Sequence, residues 1–221
     1  MSSAMERNVT GLDELLASYA AGTLASPAQA LVGAHLELCE TNRDYVASLE
    51  ALAATGLEDS APEPFKDRDG MLSAIFADDE PILHAEERAT EVQPDHKVPA
   101  SLTGIIDRPL DQLPWRTLIP GVREVKLGEH DGCNVSLLWV RGGKAMPSHT
   151  HHGTELTLIL QGGFTDSEGH YARGDIAFAD HETDHKPVAD EGEDCICFAV
   201  TEGRLRLTGP VGRFFAPFLG R

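Results

Sequence analysis

The chain has 221 residues, with 36 Asp and Glu against 18 Lys and Arg and a net charge of −18. So acidic a surface repels phosphate backbones and anionic headgroups, which excludes direct nucleic-acid or membrane-surface binding and favours a basic protein partner. No segment approaches the roughly 20 apolar residues of a bilayer span, the N-terminus lacks a secretion pattern, and four scattered cysteines make no secreted disulfide framework, so a cytoplasmic protein with reduced thiols is expected.

The halves differ in chemistry. Residues 1–100 carry 6 basic and 19 acidic side chains and residues 101–221 carry 12 and 17, so most of the net charge lies in the first half. That half reads as helices. In "TGLDELLASYAAGTL", Thr10 and Asp13 have the spacing of a cap with its acidic partner, and Gly22 suits a terminator. The next segment restarts with Ser26 as cap, Pro27 in the first helical position and Gln29 completing a capping box, and its pattern predicts one helix running to Gly56. Leu31, Ala34, Leu38, Tyr45, Leu49 and Leu52 recur at helical spacing and form an apolar stripe for a partner helix. A third short helix is predicted around "DGMLSAIFA". Residues 77–101 are acidic and contain prolines, which reads as a linker with at most a helical turn.

After Leu102 the period changes from helical to alternating. "VREVKLG", "NVSLLWVRG", "TELTLILQG", "DIAFAD", "DCICFAVTEG" and "RLRLTG" are short strands separated by Gly, Asp and Pro turns, the pattern of a sandwich or barrel. The expected fold is α+β in two domains, each with its own core: helices over 1–76, a linker over 77–101, and an all-β domain over 102–221.

Chemistry concentrates in "GGKAMPSHTHHGTELTLILQG". Alternate residues of a strand face one side, so His149 and His151 can aim two imidazoles at one point. Glu155 follows at an even spacing, and His185 is the best source of a fourth ligand. Three imidazoles and a carboxylate suit zinc in a closed site, or iron or manganese where water positions stay open. Cys195 and Cys197 share one face of a predicted strand and are candidate redox residues, with a pair of small buried side chains as the plainer alternative.

Gly143, His149, His151, Glu155 and Gly162 match the spacing of the first cupin motif. His185 stands at the histidine of the second, where Asp180 and Glu182 replace the usual proline and glycine. This resemblance implies a double-stranded β-helix barrel with the metal inside. "LLASYAAGTL", the helix carrying His35 and Cys39, "PWRTLIPGVRE", "HTHHGTELTLILQGGF" and "DCICFAVTEG" together resemble the ChrR-type anti-sigma factors. In that family a helical domain holds an extracytoplasmic-function sigma factor inactive, and a zinc cupin domain is needed for release under singlet oxygen.

The resemblance implies zinc on His149, His151, Glu155 and His185. It also implies a second zinc in the helices, held by an upstream histidine and a His, three residues, Cys, two residues, Cys motif. His35 and Cys39 have the spacing for it, on adjacent turns of one predicted helix face, but Thr10 and Asn42 stand at the other two positions. Neutral Thr and Asn are poor substitutes for imidazole and thiolate, which argues against that second metal. The competing reading keeps only the barrel, as an iron dioxygenase or metal-dependent isomerase. A third has the barrel pair two copies into a homodimer.

Overall fold

The computed structural model describes residues 11–58, 60–78 and 95–208. Four helices come first: α1 (Leu12–Ala20), α2 (Ser26–Leu38), α3 (Glu40–Glu58) and α4 (Arg68–Ala77). Eleven strands follow: β1 (Arg116–Ile119), β2 (Val122–His130), β3 (Cys133–Val140), β4 (His149–His151), β5 (Glu155–Gln161), β6 (Gly163–Thr165), β7 (His170–Ala172), β8 (Ile176–Ala179), β9 (Val188–Ala189), β10 (Cys195–Glu202) and β11 (Leu205–Leu207). Each alternating segment of the sequence is one of these strands, and the helical half joined to a β-rich, cupin-like half is the α+β arrangement expected.

The helix ends show which local signals held. Gly22 adopts a positive φ of 66° and ends α1 in a Schellman motif, with Thr23 N–H donating to Ser18 O and Gly22 N–H to Tyr19 O. Thr10 lies outside the described residues, and the position before α1 is Gly11, which offers no side-chain cap. The Ser26 capping box does not form. Ala25 is the N-cap of α2, and the Ser26 N–H donates instead to Asp131 Oδ2 at 3.0 Å, from the turn between β2 and β3. A cap of this kind is worth about 1 kcal/mol, and here a β-turn supplies it.

The single helix predicted over 26–56 is two helices. The chain breaks at Cys39, whose extended backbone (φ −120°, ψ 102°) ends α2 before α3 begins. The break splits the expected stripe. Leu31 and Ala34 are buried, whereas Leu38, Tyr45 and Leu52 are exposed and Val46 is the buried residue of α3.

The strands form a six-stranded sheet ordered β1-β2-β3-β10-β5-β8, with two small sheets, β7-β6-β9 and β11-β4. The large sheet is covered on both faces, which is why β5 and most of β10 are buried without interruption. Leu156, Leu158 and Leu160 of β5, Ile196, Phe198 and Val200 of β10, and Leu137 of β3 point outward. They join Leu16 of α1 and Leu31 and Val32 of α2 in one buried cluster. The expectation of two separate cores is therefore corrected: the helices α1 and α2 complete the outer core of the sheet. Ile159, Ala177, Cys195 and Cys197 point inward and meet Phe164, Tyr171 and Ala189 of the small sheets in a second cluster.

The end of the expected linker also belongs to this packing. Ala100–Leu102 is a 3-10 turn, Leu102 is buried in the outer core, and the Glu37 carboxylate of α2 accepts bonds from the N–H groups of Ala100 and Ser101. By contrast, α4 has no buried residue.

Candidate metal centre

The site forms where the small sheets close over the large one. His149 and His151 lie two residues apart on β4, and Glu155 opens β5 after a three-residue turn. His185 enters from the loop before β9 and is locked to His149 by a pair of backbone hydrogen bonds, each 3.1 Å. The turn that delivers His185 lacks the proline and glycine usual there. Asp180 builds it instead: its Oδ1 accepts from the N–H groups of Glu182 and Thr183, and the Thr183 N–H also donates to Asp180 O.

All four side chains are buried: His149 is 4% exposed, His151 2%, and Glu155 and His185 7% each. His149 Nε2 and His185 Nε2 are 3.0 Å apart, His151 Nε2 and His185 Nε2 3.4 Å, and His151 Nε2 lies 3.2 Å from Glu155 Oε2. A tetrahedral ion with ligands at about 2.1 Å sets neighbouring donor atoms about 3.4 Å apart. One ligand atom from each residue falls within a set spanning no more than 4.8 Å. One ion can therefore reach all four.

The outer nitrogens decide which way the lone pairs face. His149 Nδ1 lies 2.8 Å from the Pro147 carbonyl and His185 Nδ1 2.9 Å from Asp166 Oδ2, and both partners are acceptors only. Each ring therefore donates outward from Nδ1 and turns a bare Nε2 inward. Two lone pairs 3.0 Å apart repel unless a proton or a cation sits between them. His151 Nδ1 is buried with no partner among the described residues.

Burial sets the charge of the metal-free site. It lowers His149 and His151 to about 4, with neighbouring imidazoles adding to the shift in both. It raises Glu155 to about 7, with His185 opposing. At neutral pH the imidazoles of His149 and His151 are thus already in the form that binds a metal.

Asp166 escaped the reading of the sequence. Its Oδ1 accepts from Glu168 N–H and Gly169 N–H, so in "TDSEG" it reads as a turn residue, and only the fold shows its other oxygen on His185. The turn signal was there to see; the partner lay nineteen positions away.

Cys195 and Cys197 project side by side from β10 into the interior, their sulfurs 3.4 Å apart. The hydrogen bond between them and burial hold the Cys197 thiol well above its ordinary range. They share with His149, Glu155 and His185 a cavity of about 50 Å3 whose other lining, Thr157 apart, is apolar side chains such as Met146, Phe164 and Leu205. About 10–15 Å3 accommodates one water, so this space takes a few molecules of water or dioxygen size and falls short of the roughly 300 Å3 of ordinary small-molecule sites.

The expected second site does not assemble in the same way. His35 is buried in the last turn of α2, and Cys39 lies beyond the end of that helix rather than on its face. Asn42 Nδ2 lies 2.8 Å from His35 Nε2. Among the described residues the group of His149, His151, Glu155 and His185 is where three or more metal-ligating side chains converge. Thr10 lies outside them. Nor is any helix among the described residues long and apolar enough to cross a membrane.

Comparison with known proteins follows these two halves. Residues 108–204 match the ChrR cupin-like domain family. The anti-sigma-E factor ChrR of Cereibacter sphaeroides is 38% identical over 206 residues, 93% of this chain and 95% of its own. The crystal structure of Rhodobacter sphaeroides SigE in complex with the anti-sigma ChrR matches at 39% identity with a TM-score of 0.72, covering 86% of this chain and 96% of that one. An RmlC-like cupin protein of Ralstonia eutropha is 26% identical over 47% of this chain and 71% of its own, with a TM-score of 0.41.

Proposed function

This chain belongs to the ChrR-type anti-sigma factors, and from that premise we propose that it binds and silences an extracytoplasmic-function sigma factor and lets it go under oxidative stress, singlet oxygen in particular. In this reading residues 1–76 hold the sigma factor, 77–101 connect, and 102–221 form the sensing domain. The observation that carries the sigma-binding half is the distribution of exposed apolar side chains. Nine of the eleven large ones among the described residues lie between Leu38 and Phe76, including Leu52, Leu57, Phe65, Ile75 and Phe76. An apolar face left uncovered on α3 and α4 is what a protein partner would bury. The acidic first half would add electrostatic complementarity to a basic, DNA-binding partner.

For the sensing half we assign His149, His151, Glu155 and His185 as ligands and zinc as the ion. Zinc suits a nitrogen-rich set with near-tetrahedral edges and would supply a fixed charge joining β4, β5 and the loop before β9. Oxidation of a ligand imidazole would remove a lone pair from this set, and loss of the ion would leave buried Nε2 atoms facing one another. Cys195 and Cys197, in the same cavity, are auxiliary candidates for oxidation. The cavity admits dioxygen more readily than an organic substrate, which supports a sensor over an iron dioxygenase or isomerase. The test is co-expression with the sigma factor encoded beside it. A stable one-to-one complex at moderate salt, dissociating with release of about one zinc after exposure to a singlet-oxygen source, is expected. A failure to co-purify would refute the anti-sigma reading, and oxygen uptake with a small substrate would replace the sensor with an enzyme.

A further inference from the structure

The side chains around His35 do not fit the zinc that the resemblance implies for the helices. A neutral imidazole has one donor and one acceptor. His35 uses both: Nδ1 lies 2.6 Å from the Gly174 carbonyl, which can only accept, and Nε2 then accepts from Asn42 Nδ2 at 2.8 Å. No lone pair is left for an ion. Asn42 stands where the family pattern has a thiolate, and the amide nitrogen it turns toward His35 has no lone pair to offer a metal.

The first of these bonds crosses from the helices to the β-rich half, and the second ties α3 to α2 behind it. Gly174 lies in the turn joining β7 to β8, with a positive φ of 92°. A Cβ there would come within 3.1 Å of Leu38 Cβ, so helix and turn approach as closely as a glycine allows. Gly174 N–H in turn donates to Ile159 O of β5, the strand that Glu155 opens. His35 therefore sits at the contact of α2 with the β5–β8 pair.

We infer that the helical region of this protein holds no metal, and that Asn42 replaces a ligand by a hydrogen bond, converting His35 into a clasp that fastens α2 to the β7–β8 turn. The clasp runs Asn42 Nδ2–H to His35 Nε2 and His35 Nδ1–H to Gly174 O. It fixes one tautomer and orients the ring without an ion. Asn42 and His35 are positioning residues. Their work is docking, and it is independent of the zinc assigned to the barrel.

The test uses the full chain, with elemental analysis and stability measured on the same preparations. The metal content of the native protein should disappear in His149→Ala, Glu155→Gln and stay unchanged in Cys39→Ser. A metal equivalent that survives the double substitution and is lost with Cys39→Ser overturns the inference. A native chain free of any metal would instead remove the zinc reading of the barrel and leave this one standing. Asn42→Ala leaves a buried acceptor without its donor, which should raise the unfolding equilibrium constant roughly 5- to 150-fold. That loss should be the same with and without a chelator. An effect that vanishes in chelator would mean Asn42 acts through a metal, and no effect in either condition would mean there is no clasp. In nitrogen-15 spectra His35 should carry its proton on Nδ1, a signature that a merely packed ring would not have to show.

Discussion

Replacing Glu155 by Gln isolates what burial does to the metal site. The carboxyl is buried and raised to about 7 in the metal-free protein. At pH 6 such a group is roughly 90% protonated, whereas an ordinary glutamate is about 3% protonated. A metal accepts only the carboxylate, so zinc binding must expel roughly 0.9 proton from Glu155 at pH 6 and roughly 0.1 at pH 8. Glutamine has no proton to lose, and the three imidazoles remain in both proteins, so their contribution cancels in the difference. Zinc titrated calorimetrically into the metal-free chain, in two buffers of different ionisation enthalpy, counts the protons directly. The native protein should release about 0.9 proton more than Glu155→Gln at pH 6, with the gap closing by pH 8. A difference below about 0.2 at pH 6 would refute the argument, because the carboxyl would then be ionised in spite of its burial.

The pH dependence of metal-free stability follows from the same groups. His149 and His151, lowered to about 4, are held neutral, so the unfolded chain binds more protons between pH 6.5 and 4 and stability falls on acidification there. Glu155, raised to about 7, binds its proton more tightly when folded and opposes this between 4.5 and 7, leaving a net loss of about 1.4 kcal/mol per unit from pH 6.5 to 4.5. Denaturant titrations should show Glu155→Gln steepening that loss to about twice the value, and an unchanged slope would count against it. Asp166→Asn removes the carboxylate from His185 Nδ1 and should weaken zinc binding about 10- to 100-fold in a chelator competition, with little change in fold. Leu52→Glu with Phe76→Glu alters side chains that are 70% and 82% exposed. The pair should reduce affinity for the sigma factor by about 100-fold while the thermal midpoint of the free chain stays within a few degrees, and full binding by the variant would move the interface elsewhere.

Much of this protein is written locally. The change from helical to alternating period after Leu102 marks the β-rich half because a strand's two faces impose period two wherever they are formed. His149, His151 and Glu155 were legible because they fall within seven positions, and His185 because it stands at the histidine of a second motif, although Asp180 and Glu182 depart from that motif's pattern. The ends were less legible. Gly22 terminates α1 as its φ requires, yet Ser26 does not cap α2, since Asp131 reaches its N–H from more than a hundred residues away.

What the sequence by itself determined is the inventory: helices, then short strands, then three imidazoles and a carboxylate at spacings that permit convergence. Tertiary structure alone decided that α2 ends at Cys39, that its leucines complete the outer core of the six-stranded sheet, that Asp166 orients His185, and that Asn42 and Gly174 occupy both nitrogens of His35. The reason is range. Backbone period and turn chemistry act between neighbours, whereas a hydrogen bond to a buried ring is made by whichever group the packing brings there.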